Sequence, residues 1–315
     1  MAIKFAFSTV AVPELTLDQV AAQAKELGYE GVELRTLGPG GGGLASDPSL
    51  SEPHKVADVF REAGVEPICL STSVSLHHKK TGDAHRAFFE AQRYLEIAAE
   101  MNCPAVRVFG YEVGPGENHR AVIHRIADRA AQLADKAGEL GVQLLFENAG
   151  SLVGSKEWWW LLDMVNHPML GMVWNVANSV AANPTDAGGW VSVSTLNSRI
   201  RIAKVKDTNV GQGTGYVQLG DGDVGIPTFM KRLLGIGFDG YVTVEWDRLW
   251  LDTLAPPEEF LPEAVNRLRG WVAQIDEESA KGVESREKAE AKLHKEREKA
   301  LAKASGADAP AKVSS

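Results

Sequence analysis

Strand-like and helix-like segments alternate along this chain from residue 3 to about residue 275, and that beat constrains the fold more than any other feature. IKFAFST (3–9), YEGVELR (29–35), VEPICLSTS (65–73), AVRVFG (105–110), VQLLFENAG (142–150), MLGMVWN (169–175), RIRIAKVKD (199–207) and GYVTVEW (240–246) are strand-sized and rich in apolar residues. Between them lie amphipathic stretches such as LTLDQVAAQAKELG, with Gly28, Gly64 and Gly141 where helices would stop. The helical stretch after the sixth strand is weak, since Pro184 and two glycines interrupt it. Strands alternating with helices imply parallel βαβ units, and eight of them in roughly 250 residues is the size of a (β/α)8 TIM barrel. A doubly wound open sheet is the alternative, but no G-x-G-x-x-G follows the first strand. GPGGGG (38–43) lacks a Lys-Ser/Thr partner and reads as a flexible loop, not a phosphate cradle.

From residue 276 the sequence is almost all charged residues and alanine, with Glu277–Lys281 and Glu284–Lys288 in the i,i+4 order that supports an exposed helix. The expected organisation is a barrel over 1–275, a charged helical extension over 276–303 and a disordered tail over 304–315. The formal net charge of −9 opposes a nucleic-acid surface, which is usually basic. No apolar run has the length of a membrane span, and the first strand does not read as a signal peptide. The two cysteines, Cys69 and Cys103, read as small core residues in a reducing compartment. A cytoplasmic protein acting on a small molecule is expected.

In a barrel of this kind catalytic groups sit at the C-terminal ends of the strands. Those ends carry Ser8 and Thr9, Glu33 and Arg35, Ser71 and Ser73, Arg107, Glu147 and Asn148, Asn175, then Lys204, Lys206 and Asp207, and finally Glu245, Trp246 and Asp247. LLFE and VTVE each close an apolar run with a carboxylate, and a buried carboxylate needs a cation or hydrogen bonds. Lys204 and Lys206 share one face of the seventh strand with Ile200 and Ile202, because side chains alternate along a strand.

GYEGVELR, LLFENAG and above all KVKDTN followed by LGDGDVGIPTFMKRLLGIGFDGYVTVEW resemble the xylose-isomerase-like barrels, a family of sugar and sugar-phosphate isomerases and epimerases. The resemblance spans about residues 3–275. It implies a divalent-metal site of Glu, Asp, His and Glu at the ends of strands five to eight, with a further His three residues after the Asp. Glu147 and Glu245 hold the outer two ligand positions. Asn175 stands at the Asp position, Asn178 at the later His position and Lys204 at the ligand-His position. The family's members are often homo-oligomers.

An ammonium cannot ligate a metal, so no tightly bound cofactor is expected; Mn²⁺ or Mg²⁺ would be the ion if one bound. Lys204 is expected to stand where the cation would be, between Glu147 and Glu245, leaving a local charge of −1. Three functions remain open. The first is an isomerase or epimerase of a sugar or polyol derivative, with Glu147 and Glu245 as acid and base and Lys204 as electrophile. The second is a lyase or aldolase with Lys204 as Schiff-base nucleophile, which the flanking carboxylates oppose. The third is a non-catalytic binder of a polyhydroxylated ligand. Asn175, Asn178, Lys206, Asp207, Arg107 and Trp246 are the expected substrate contacts, with pairing to Lys206 or capping of a turn the equal alternative for Asp207. Arg107 and Arg35 could hold an anionic substituent or form a salt bridge with Glu33. His77 and His78 are candidate replacement bases or solvated loop residues.

Overall fold

A computed structural model describes residues 3–38, 43–210 and 215–305 of the chain, with side chains up to 298. Each expected strand forms. β1 (Lys4–Ser8), β2 (Gly31–Arg35), β3 (Glu66–Ser75), β4 (Ala105–Phe109), β5 (Gln143–Glu147), β6 (Leu170–Asn175), β7 (Ile200–Val205) and β10 (Tyr241–Val244) close into a parallel barrel in which β10 joins β7 to β1. A short antiparallel ladder, β8 (Asp207–Thr208) with β9 (Tyr216–Val217), lies between β7 and β10 in the chain.

The helices outside the barrel follow the amphipathic segments: α1 (Leu17–Leu27), α2 (Pro53–Ala63), α3 (Thr81–Glu100), α4 (His119–Leu140), α5 (Ser155–Val165) and α8 (Ile226–Gly235). Thr16 and Gln19 start α1 with a reciprocal capping box, and Gly28 ends it in the left-handed region at φ 78°. Around Pro184 the weak segment breaks into two short helices, α6 (Val176–Ala182) and α7 (Ser192–Leu196), separated by a 3₁₀ stretch. The last helix, α9, runs without a break from Pro257 to Ser305. The compact barrel unit ends at Leu268, earlier in the chain than the composition change at 276, and the helical residues from Arg269 onward group as a separate unit. Residues 39–42 of the GPGGGG loop and 306–315 of the tail lie outside the described residues.

The barrel interior is divided along its axis. Ala6, Ile68, Cys69, Ala105, Leu145, Val173 and Ile202 form an apolar cluster. Toward the C-terminal ends of the strands the interior turns ionic, with Glu33, Glu147 and Lys204 buried on the inward face. Close packing is strict at Gly31, where a Cβ would lie 2.4 Å from Ile68 Cγ2. Cys69 and Cys103 are free and buried. No described helix is long and apolar enough to cross a membrane.

Candidate active site

The end of β7 builds the centre of the site. Side chains alternate along the strand, so Lys204 and Lys206 both point into the barrel, at successive depths. Lys204 is fully enclosed. Its Nζ lies 2.9 Å from Glu33 Oε1, 3.0 Å from Glu147 Oε2 and 3.1 Å from Glu245 Oε1. Burial alone would lower its pKa. Glu147, Glu245 and Glu33 outweigh that and hold it above the usual lysine value.

Lys206 sits nearer the mouth and bonds Glu245 Oε2 at 2.8 Å and Asp247 Oδ2 at 2.9 Å, with its ammonium 4.9 Å from the centre of the Tyr216 ring. Glu245 is thus shared between two ammonium groups. Burial would raise its pKa, but Lys204 and Lys206 prevail and hold it well below the ordinary carboxylate value. Asp247 shifts the other way, raised by burial and by Glu245. On the opposite wall Arg107 Nε forms an ion pair with Glu147 Oε2 at 3.0 Å, its N–H not aimed along a hydrogen bond. The same guanidinium donates to Thr72 O and lies over the Phe109 ring.

Asparagines complete the wall. Asn175 Nδ2 donates to Glu147 Oε1 at 3.2 Å and to Glu245 Oε2 at 3.0 Å, an orientation the two carboxylates dictate. Asn148 exchanges hydrogen bonds with the Asn175 backbone, and Asn178 Nδ2 donates to Asn148 O at 2.9 Å.

The expected local charge of −1 is therefore replaced by a larger network. Glu33 and Asp247 join Glu147 and Glu245, while Lys206, Arg107 and, without direct pairing, Arg35 join Lys204. Four formal negative charges face four positive ones. Glu33 was legible only as a strand-end residue. Its signal is the spacing in GVELR, which puts it on the same inward face as Arg35.

Other expected contacts sit differently. Asp207 accepts from the backbone N–H groups of Thr208, Gly220, Gly222 and Val224, so it clamps the turn after β7. Trp246 is buried, stacked on Phe260 with ring centroids 3.7 Å apart, and its N–H is bonded to Ala255 O. The His77 and His78 rings lie against each other with centroids 4.3 Å apart and planes tilted by 37°, and His78 Nε2 is 3.4 Å from Ser75 Oγ. Arg35 does not pair with Glu33; it bonds Thr36 O, Ser71 O and Ser73 Oγ.

The family implies a divalent cation at such a mouth, and the donor set does not suit one. The point on which Glu33, Glu147 and Glu245 converge holds an ammonium, which has no lone pair to offer. Asn175 turns its amide N–H, not its oxygen, toward the two outer carboxylates. Among the described residues no group of three or more His, Cys, Asp or Glu side chains is arranged to hold a metal ion. Nor does Lys204 suit the nucleophile role, since its ammonium is sealed and held charged by three carboxylates.

The family description "xylose isomerase-like TIM barrel" matches residues 21–271, and the chain belongs to that family. A curated relative, fructoselysine 3-epimerase of Escherichia coli O157:H7, is 21% identical over 276 residues, covering 82% of this chain and 95% of the relative. Among solved structures, an L-ribulose 3-epimerase superposes with a TM-score of 0.74 at 12% identity, covering 89% of this chain and 97% of its own. A probable 3-DHS dehydratase from Bacillus anthracis gives a TM-score of 0.70 at 15% identity, covering 85% of this chain and 98% of its own. At these identities the structural matches establish the barrel; they do not select between epimerisation and dehydration.

Proposed function

We propose that this protein is a sugar- or polyol-derivative isomerase or epimerase that works without a tightly bound metal. The observation that carries this reading is Lys204 Nζ within 3.1 Å of three carboxylates at the mouth of the barrel. Proton transfer next to a carbonyl needs a base, an acid and a positive group to stabilise the enediolate. Glu245 is the base, and Glu147, paired with Lys204 and Arg107 at rest, serves as the acid once it has taken up a proton. Lys204, being sealed, fixes their geometry and charge, and Lys206 is the cation placed to meet a substrate oxygen. Asn178, half-buried beside the cluster, supplies an amide group for a hydroxyl, while the Asn175 amide is spent on Glu147 and Glu245 and holds those two carboxylates in place. The curated relative and the L-ribulose neighbour, both named as 3-epimerases, support a ketose substrate class.

The test is exchange of the carbon-bound proton next to the carbonyl of small ketoses in D₂O, followed by NMR after EDTA treatment and dialysis. Exchange or epimer formation that survives EDTA and disappears in Glu245→Gln is the expected result. Exchange that requires added Mn²⁺ would overturn the metal-free reading.

One observation favours a second reading, ligand binding without turnover. Every oxygen of Glu147 and Glu245 already faces Lys204, Lys206, Arg107 or Asn175. The unpartnered oxygen of Glu33, Oε2, is sealed in the interior. Saturable ketose binding with no exchange would select this alternative.

A further inference from the structure

Arg35 is a cation at the mouth to which the proposed chemistry gives no role. It ends β2 one inward position above Glu33, and it is only 9% exposed. Its partners are Thr36 O at 2.6 Å, Ser71 O at 2.9 Å and Ser73 Oγ at 2.9 Å, all neutral. Those bonds occupy three of the five N–H groups of a guanidinium. No ion pair joins Arg35 to a carboxylate among the described residues. The nearby carboxylates bond other cations: Glu33 meets Lys204 through Oε1, Glu147 meets Lys204 and Arg107, and Glu245 meets both lysines. Buried charges are ordinarily paired.

We infer that Arg35 and Ser73 form an oxyanion subsite, and that the sugar taken at this mouth carries a carboxylate. Ser73 is exposed, so the Arg35–Ser73 bond marks the edge at which a ligand group arrives. An anion there would meet both a guanidinium and a hydroxyl, with Lys206 left for the carbonyl oxygen. One guanidinium matches one negative charge, which favours a carboxylate over a phosphate dianion. The electrostatics agree: burial, and then the like charge of Arg107, bring the Arg35 guanidinium down to about 10 despite Glu33, Glu147 and Glu245. An arriving anion would offset both effects with an opposite charge.

This inference rests on the sugar reading above, and the experiment separates the two. The full chain is titrated calorimetrically with D-fructose, D-fructuronate and D-fructose 6-phosphate. A charge-assisted contact predicts that fructuronate binds about 10–100-fold more tightly than fructose. That ratio should fall toward one in Arg35→Gln and fall in part in Ser73→Ala. The second variant alters an exposed residue, so it carries the test if Arg35→Gln does not fold. Equal binding of fructose and fructuronate by the unmodified chain would overturn the subsite and leave the sugar reading standing. So would a preference that survives in both variants. Tighter binding of the phosphate, lost in Arg35→Gln, would overturn the carboxylate assignment. If none of the three sugars binds, the sugar reading fails and the subsite falls with it.

Discussion

At the scale of single residues, Lys204 carries the argument. A fully buried ammonium held by three carboxylates is tolerated because every charge has a partner, and such pairs contribute little net stability while all members are present. Removing one member is different. Lys204→Met leaves Glu33, Glu147 and Glu245 facing one another without their shared cation, and should cost about 3–5 kcal/mol in urea denaturation. Adding Glu33→Gln to that variant should restore part of the loss, because it removes one of the uncompensated charges. An unchanged denaturation midpoint in Lys204→Met would refute the cluster. Lys204, Glu147 and Glu245 were legible in the sequence because each interrupts or closes an apolar strand. Neither Glu33 nor Asp247 is legible in the sequence as a member of the cluster. The pairing of Glu33 depends on how β2 faces β7 across the closed barrel, and that of Asp247 on the path of the chain beyond β10, the neighbour of β7; strand periodicity says nothing of either.

At the scale of elements, the strand–helix alternation gave all eight barrel strands within a few residues, because each is a short apolar run bounded by turn residues. The region around Pro184 was legible only as an interruption, since short helices of five to seven residues carry too few turns for periodicity. The turn after β7 shows which of the two readings open for Asp207, a substrate contact or a turn cap, the hydrogen bonds favour. KVKDTN points to chemistry, yet Asp207 receives four backbone N–H groups, three of them from residues 220–224. It joins the end of β7 to the loop that precedes α8, and so fixes the strand on which both lysines sit. Asp207→Ala should leave those donors without an acceptor and destabilise the fold by about 1–3 kcal/mol. The amides of Gly220, Gly222 and Val224 should then exchange with solvent faster than in the unmodified chain. If their protection is unaltered, Asp207 is not the clamp, and a direct role for it at the mouth becomes the better account.

At the scale of the whole molecule, the ionic cluster ties barrel stability to pH in a defined sense. Glu245 titrates in the folded protein below its ordinary 4.5, because Lys204 and Lys206 outweigh the cost of burial. A depressed carboxylate contributes stability that is fully present above its unfolded value and is lost as pH falls through the folded one. Lys204 and Lys206 are raised above 10.5 by the carboxylates around them, against their burial. Their contribution is full below 10.5 and is lost as pH climbs through the raised values. Asp247 opposes Glu245: burial and Glu245 raise it above 3.8, so its share is full in acid and declines as pH rises through its folded value. The acid limb is therefore shallower than Glu245 alone would make it, while on the alkaline limb the two lysines are opposed by Arg35, whose guanidinium burial and Arg107 bring down to about 10. Urea denaturation from pH 2.5 to 7 should show stability falling below about pH 4.5, and Glu245→Gln should flatten that fall by removing the group responsible. Parallel acid limbs in the two proteins would mean that Glu245 is not held by the two ammonium groups, and the charge arrangement at the mouth would have to be redrawn.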